Sequence, residues 1–96
     1  MIGVIATIRV KEGGGPGFEA VFAELAAEVR KNEPGNVVYQ LFRSRTEPNT
    51  YKVMEICRDR QAHAAHSPSA HFKAIVPKMA EFREGGAQIE YFDGVS

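Results

Sequence analysis

Ninety-six residues, 44% of them hydrophobic and 25% charged, suffice for one domain with a modest core of its own. Twelve basic residues cancel twelve acidic ones, so the chain lacks the cationic excess that nucleic acid or an anionic membrane surface would call for. No apolar run approaches the roughly 20 residues needed to cross a bilayer. The one cysteine, Cys57, has no intrachain partner, which fits a reducing cytoplasm.

The opening MIGVIATIRV has neither a basic leader nor a small-residue cleavage site, and its alternation predicts a first strand over Ile2 to Val10. The run Gly13-Gly14-Gly15-Pro16-Gly17 ends that strand. It lacks the Lys-Ser/Thr of a phosphate-binding loop and reads as a plain connector. Phe18, Val21, Phe22, Leu25, Ala26 and Val29 recur at helical spacing and predict a first amphipathic helix from Pro16 to Asn32, stopped by Pro34 and Gly35. A second strand over Asn36 to Ser44, a turn at Glu47-Pro48-Asn49 and a third strand over Tyr51 to Cys57 form an antiparallel hairpin.

Asp59 is suited to cap a short helix, Arg60 to His66, and Ser67 to cap a second segment with Pro68 at its first position. Phe72, Ile75, Val76, Met79 and Phe82 are that segment's apolar stripe, and Pro77 within it predicts a kink or break. Gly85-Gly86 end it, and Ala87 to Phe92 is the last strand. The order βαββαβ predicts an α+β, ferredoxin-like fold: one antiparallel sheet with the helices on one face. Both side-chain parities of the strands carry bulk. Val37, Tyr39 and Leu41 oppose Val38 and Phe42; Tyr51 and Val53 oppose Met54 and Ile56; Ile89 and Tyr91 oppose Phe92. A sheet left open would expose too much of this, so a second copy of the chain is expected to cover it, giving a dimeric α+β barrel. Polar side chains on the uncovered face suggest that the cavity lies inside that shared barrel.

Three segments carry a resemblance. They are Glu33-Pro34-Gly35-Asn36-Val37-Val38-Tyr39, Asn49-Thr50-Tyr51-Lys52-Val53-Met54-Glu55-Ile56, and Ala62-His63-Ala64-Ala65-His66-Ser67-Pro68-Ser69-Ala70-His71-Phe72. In this order and spacing the chain resembles the antibiotic biosynthesis monooxygenase domain family, and within it the small bacterial quinol monooxygenase-like proteins. The resemblance implies a dimeric α+β barrel. It implies a reaction less firmly, because the family includes cofactor-independent oxygenases, haem-degrading enzymes and an isomerase. The haem-degrading branch uses a tryptophan and a first-strand asparagine; this chain has no tryptophan and offers Thr7 in its first strand. The aromatic polyketide oxygenases also use tryptophan and asparagine, so neither mechanism transfers.

His66 and His71 lie in the family's His…His-Phe motif and are the candidate proton-transfer groups, since free imidazole titrates at about 6.5. The alternative for both is structural, capping backbone at the helix junction. His63 reads as solvated. Zinc binding by the three histidines matches no standard ligand spacing, and no metal is expected. Glu55, a carboxylate within an apolar strand, is either a catalytic base or orienter of His66, or a hydrogen-bonded anchor. Tyr39 and Tyr51 could bind a flat aromatic, or simply pack across strands; Asn36 could donate to a substrate oxygen or satisfy turn backbone. Cys57 reads as a small core residue.

These readings lead to an expected cofactor-independent monooxygenase that oxidises a quinol or related electron-rich aromatic with O2. His66 is the base, His71 and Glu55 support it, and Tyr39, Asn36 and Tyr51 bind substrate. The missing flavin and nicotinamide fingerprints agree with a substrate that supplies its own electrons. The alternatives are a barrel that binds a small hydrophobic molecule without turning it over, and an isomerase on the same fold.

Overall fold

Alternating apolar residues at the start of the chain build the strand that organises the rest. In the computed structural model, which describes all 96 residues, β1 (Ile2–Arg9) leads through α1 (Gly15–Asn32) to the hairpin β2 (Asn36–Arg43) and β3 (Thr50–Cys57). α2 (Arg60–Ala64), α3 (Ala70–Ile75), a 3-10 turn (Val76–Met79) and β4 (Gln88–Asp93) complete it. All strand pairs are antiparallel and the order across the sheet is β2-β3-β1-β4, the ferredoxin-like arrangement that the element order predicts.

The apolar stripe of α1 is buried at Phe18, Phe22, Leu25, Ala26 and Val29. It packs on Ile8, Val10, Tyr39, Tyr51 and Val53 of the sheet region and on Ile75 and Met79. Each large side chain fully buried here contributes about 1.5–3 kcal/mol, so this face fixes α1 on the sheet. Pro16 sits in the helix's first turn, and Arg30 and Lys31 meet the negative end of its dipole in the last.

The second helical region departs from the expected boundaries. α2 stops at Ala64, and the cap of α3 is Ser69, which accepts from the Phe72 amide, while Ser67 lies in the intervening turn. Ser69 has the extended backbone that a cap requires, and its hydroxyl also donates to the His66 carbonyl. Asp59 caps α2 as expected, accepting from the Ala62 amide. At Pro77 the α-helix gives way to the 3-10 turn, the predicted break.

A bulge between Asn36 and Val38 also changes the simple alternation in β2. Val37 is the extra residue and is 56% exposed, while Asn36 is turned to the side of Tyr39 and Glu55. Beyond the bulge, both faces of the sheet carry large apolar side chains. Val38, Phe42, Met54 and Phe92, on the side away from the helices, are between 37% and 48% exposed. The helices cover the opposite side incompletely: every residue of β4 is exposed.

Gly35 is buried at the start of β2, where a Cβ would come within 2.4 Å of the Ala62 Cβ on α2. That close approach seats α2 on the strand hairpin. Gly35→Ala is expected to destabilise the fold by about 1–3 kcal/mol, the usual range for an overpacked contact. Adding Ala62→Gly should recover most of the loss beyond the helix-propensity cost of the glycine, about 1 kcal/mol. Denaturant unfolding of the single and double variants measures this; additive losses would show that the contact is not what limits the site.

Candidate active site

The incomplete helical cover leaves a cavity of about 360 Å³ between the sheet and the α2–α3 region. Val4, Ala6 and Ile8 of β1 line it along the sheet, with Phe22 and Leu25 of α1 and Phe72 and Val76 of the second helical region. The cavity is therefore formed by elements of one chain and stays partly open along β4. It lies on the face of the sheet opposite to the one expected from a chamber within a shared barrel. The register explains why: Glu55 of β3 pairs with both Val4 and Tyr39 and projects with them beneath the helices.

Glu33, the residue that ends α1, organises the polar end of this cavity. Both its carboxylate oxygens lie 3.0 Å from His66 Nδ1, and one also hydrogen-bonds His71 Nε2. His66 is 7% exposed, with its ring edge-on to Tyr39 at 5.2 Å and to Phe72 at 4.9 Å. An Nδ1–H donated to Glu33 leaves Nε2 as the free nitrogen, 3.7 Å from Glu55 Oε2. Glu55 accepts from Asn36 Nδ2 at 3.0 Å. Ser69 ties the cluster to the backbone: its hydroxyl donates to the His66 carbonyl at 2.6 Å and lies 3.1 Å from His71 Nε2.

The candidate residues therefore separate. His66, Glu55 and Tyr39 line the cavity. Asn36 and His71 stand behind it, holding Glu55 and Glu33 respectively. Tyr51 is brought elsewhere. It packs on Phe18 and donates to Glu19 outside the cavity, so its expected contact with substrate has no geometric basis. His63, expected to be solvated, instead lines the cavity 5.5 Å from the Tyr91 ring. Glu33 received no role from the sequence. An acid at a helix C-terminus opposes the dipole and so points to a compensating partner, which is the signal that could have marked it.

Burial is the main force on the titrating groups. It pushes the Glu55 carboxyl above the usual carboxylate range, against the opposing pull of His66. It also raises the Tyr39 phenol, helped by Glu55 and Glu33, so that this hydroxyl stays protonated and can act only as a neutral donor or acceptor. The Cys57 thiol is raised to about 11, again chiefly by burial, which agrees with a core role. Glu33, His66 and His71 also offer three donor atoms within 4.8 Å of one another, a set that could hold a divalent cation. Here those atoms are hydrogen-bonded among themselves.

The sequence pattern described as antibiotic biosynthesis monooxygenase matches residues 1–78. The chain belongs to that family. "Putative monooxygenase YcnE" of Bacillus subtilis (strain 168) is 35% identical over 81 residues, covering 84% of either chain. A crystal structure described as a "putative antibiotic biosynthesis monooxygenase" from Caulobacter crescentus CB15 superposes with a TM-score of 0.95 at 44% identity, over 99% of this chain and 90% of that one. SnoaB of Streptomyces nogalater, described as a cofactor-independent oxygenase, shares the fold at a TM-score of 0.83 and 23% identity, over 99% of this chain and 93% of that one. This antibiotic biosynthesis monooxygenase family member thus has close relatives named for oxygenation, and a buried polar cluster facing an apolar cavity.

The raised Glu55 carboxyl makes a stability prediction. Unfolded, it ionises at its ordinary value near 4.5; folded, it ionises at higher pH. Its protonated form therefore gives full stability below the unfolded value, and that contribution is lost as pH rises through the folded one. Glu55→Gln cannot ionise and keeps an acceptor for Asn36. Its melting temperature relative to wild type should climb between pH 4 and pH 8. A constant difference across that range would mean that burial does not disfavour the Glu55 carboxylate.

Proposed function

We propose that the protein is a cofactor-independent monooxygenase acting on a quinol or a similarly electron-rich aromatic, with His66 as the base. The observation that carries this reading is the His66 imidazole: buried, with Nδ1 engaged by Glu33 and Nε2 free beside an apolar cavity. A hydroquinone bound against Phe72 and Tyr39 would give its hydroxyl proton to Nε2. The imidazolium formed is met by Glu33 at 3.0 Å and Glu55 at 3.7 Å. The quinolate carries electron density on the ring carbon beside its oxygen. Electron transfer to O2 and recombination form a C–O bond there. Cleavage of the O–O bond, with loss of water, leaves a hydroxyquinone. Hydroquinone and O2 become hydroxyquinone and water, with all electrons supplied by the substrate.

His71 and Asn36 are positioning residues here, acting through Glu33 and Glu55. Oxygen uptake with a panel of hydroquinones should fall about 10²–10⁴-fold in His66→Ala, the usual contribution of a general base. It should be nearly unchanged in Tyr51→Phe. Product mass distinguishes the reactions: monooxygenation of a hydroquinone replaces two hydrogens by one oxygen, whereas isomerisation leaves the mass unaltered. Activity is expected to survive dialysis against a chelator. Loss that one divalent metal restores would reassign Glu33, His66 and His71 as its ligands. Equal uptake by wild type and His66→Ala would remove His66 from the mechanism.

The apolar face away from the helices supports a second part of the proposal, a homodimer in which two such faces pack into an α+β barrel. Val38, Phe42, Met54 and Phe92 would lie at its centre. Sedimentation at micromolar concentration should give twice the mass of one chain, and Phe42→Glu should shift it to the single-chain mass. A wild-type protein that sediments as one chain would refute the dimer.

A further inference from the structure

The proposed reaction uses one end of the cavity and leaves a charge unexplained at the other. Arg83 lies beyond the 3-10 turn, where its backbone bridges Val10 just past the end of β1. Its neighbours are pinned there: Lys11 donates to the Phe82 carbonyl, and Glu84 donates to the Arg9 carbonyl, each at 2.8 Å. The side chain lines the cavity, and its Nε is buried with no acceptor within reach. No carboxylate forms an ion pair with its guanidinium. Glu81 and Glu84, the acids nearest in sequence, are exposed. Arg83 as a whole is half-buried, but a buried guanidinium N–H left without an acceptor is rare in a folded protein and marks a place where one is meant to arrive.

The two polar ends are held apart by the sheet. Val4, which pairs with Glu55, lies at the His66 end, and Ile8 lies four residues further towards Val10 and the Arg83 bridge. At about 3.3 Å per residue this is roughly 13 Å of apolar floor. One end carries the carboxyl groups of Glu33 and Glu55, and the other carries the Arg83 guanidinium with a free N–H. An anionic ligand in this slot is disfavoured at the first end and drawn to the second, where the guanidinium offers a charge-assisted hydrogen bond.

We infer that the cavity binds an aromatic acid: a planar ring system with its reacting hydroxyl towards His66 and a carboxylate at the remote end, held by Arg83. This rests on the same site as the proposed oxygenase but goes beyond it by naming the anionic group and the residue that selects it. Arg83 thereby sets which ring position faces His66.

Binding, measured apart from turnover, tests it. The probe is 6-hydroxy-2-naphthoate, with a hydroxyl and a carboxylate at opposite ends of a fused ring, titrated by its own fluorescence beside the matching 6-hydroxy-2-naphthamide. Wild type should bind the acid about tenfold or more tightly than the amide. Arg83→Met should bind the two alike, and Arg83→Lys, which keeps the charge but not the planar fork, should fall between them. Equal affinity of acid and amide in wild type would overturn the inference. So would an acid preference undiminished in either variant. Should Arg83→Met fail to fold, the wild-type comparison and Arg83→Lys still decide. An Arg83-dependent acid preference without oxygen uptake on any hydroquinone would sustain the binding assignment and sink the oxygenase; oxygen uptake with no acid preference would do the reverse.

Discussion

A single carboxylate shared between two imidazoles sets the position of the whole second helical region. Glu33 ends α1, where the helix dipole is negative, and its side chain is only 8% exposed. Both conditions disfavour a bare anion, and the imidazoles of His66 and His71 relieve both. In return the α2–α3 junction is fastened to the end of α1 and the start of β2. Breaking such a buried pair by removing one member typically costs 3–5 kcal/mol. The same contact that secures the fold also fixes the His66 tautomer, so stability and chemistry are not separable at this residue.

The sheet divides two tasks between its faces. The helix-covered side holds the core under α1 and, where the second helical region falls short of β4, the cavity. The other side offers Val38, Phe42, Met54 and Phe92. Each face stays apolar for a different reason, one to close around a small molecule and the other, on the reading above, to close on a second chain. A sheet with one solvated face would need polar residues in alternate positions. On the uncovered face Gln40 and Lys52 are polar, but Val38, Phe42, Met54 and Phe92 outweigh them, and that apolar excess gives the expected assembly its physical sense.

Periodicity made most of this architecture legible. The strands, the long helix, the hairpin and the Pro77 break all come from local patterns that survive folding. What could not be read depends on spatial relations. Alternation set Val37 on the side of Tyr39, but a bulge, invisible without knowing the partner strand, turned Asn36 there instead. Glu55 could not be assigned a face until its register with Val4 was known. Tyr39 and Tyr51 look equivalent as strand tyrosines, yet one borders the cavity and the other reaches Glu19. His66 and His71 carry a recognisable motif. Glu33, which joins them, lies more than thirty residues earlier, and only the fold makes that separation short. Arg83 had no sequence signal at all, because what distinguishes it is the acceptor it does not have.

A site that runs without a bound cofactor must make its substrate reactive by removing a proton, and then keep the resulting anion where oxygen can reach it. Those demands conflict. Cations close to the reacting oxygen stabilise the anion and blunt its reactivity, whereas carboxylates alone would expel it. The arrangement here separates the two spatially. At the reacting end, the positive charge that His66 acquires is more than offset by Glu33 and Glu55, so no excess cation faces the substrate ring. At the far end, Arg83 can hold an anionic group across an apolar floor without touching the carbon that meets oxygen. Affinity and reactivity are then governed by different residues, and a chain with no net charge still builds a cavity with two opposite ends.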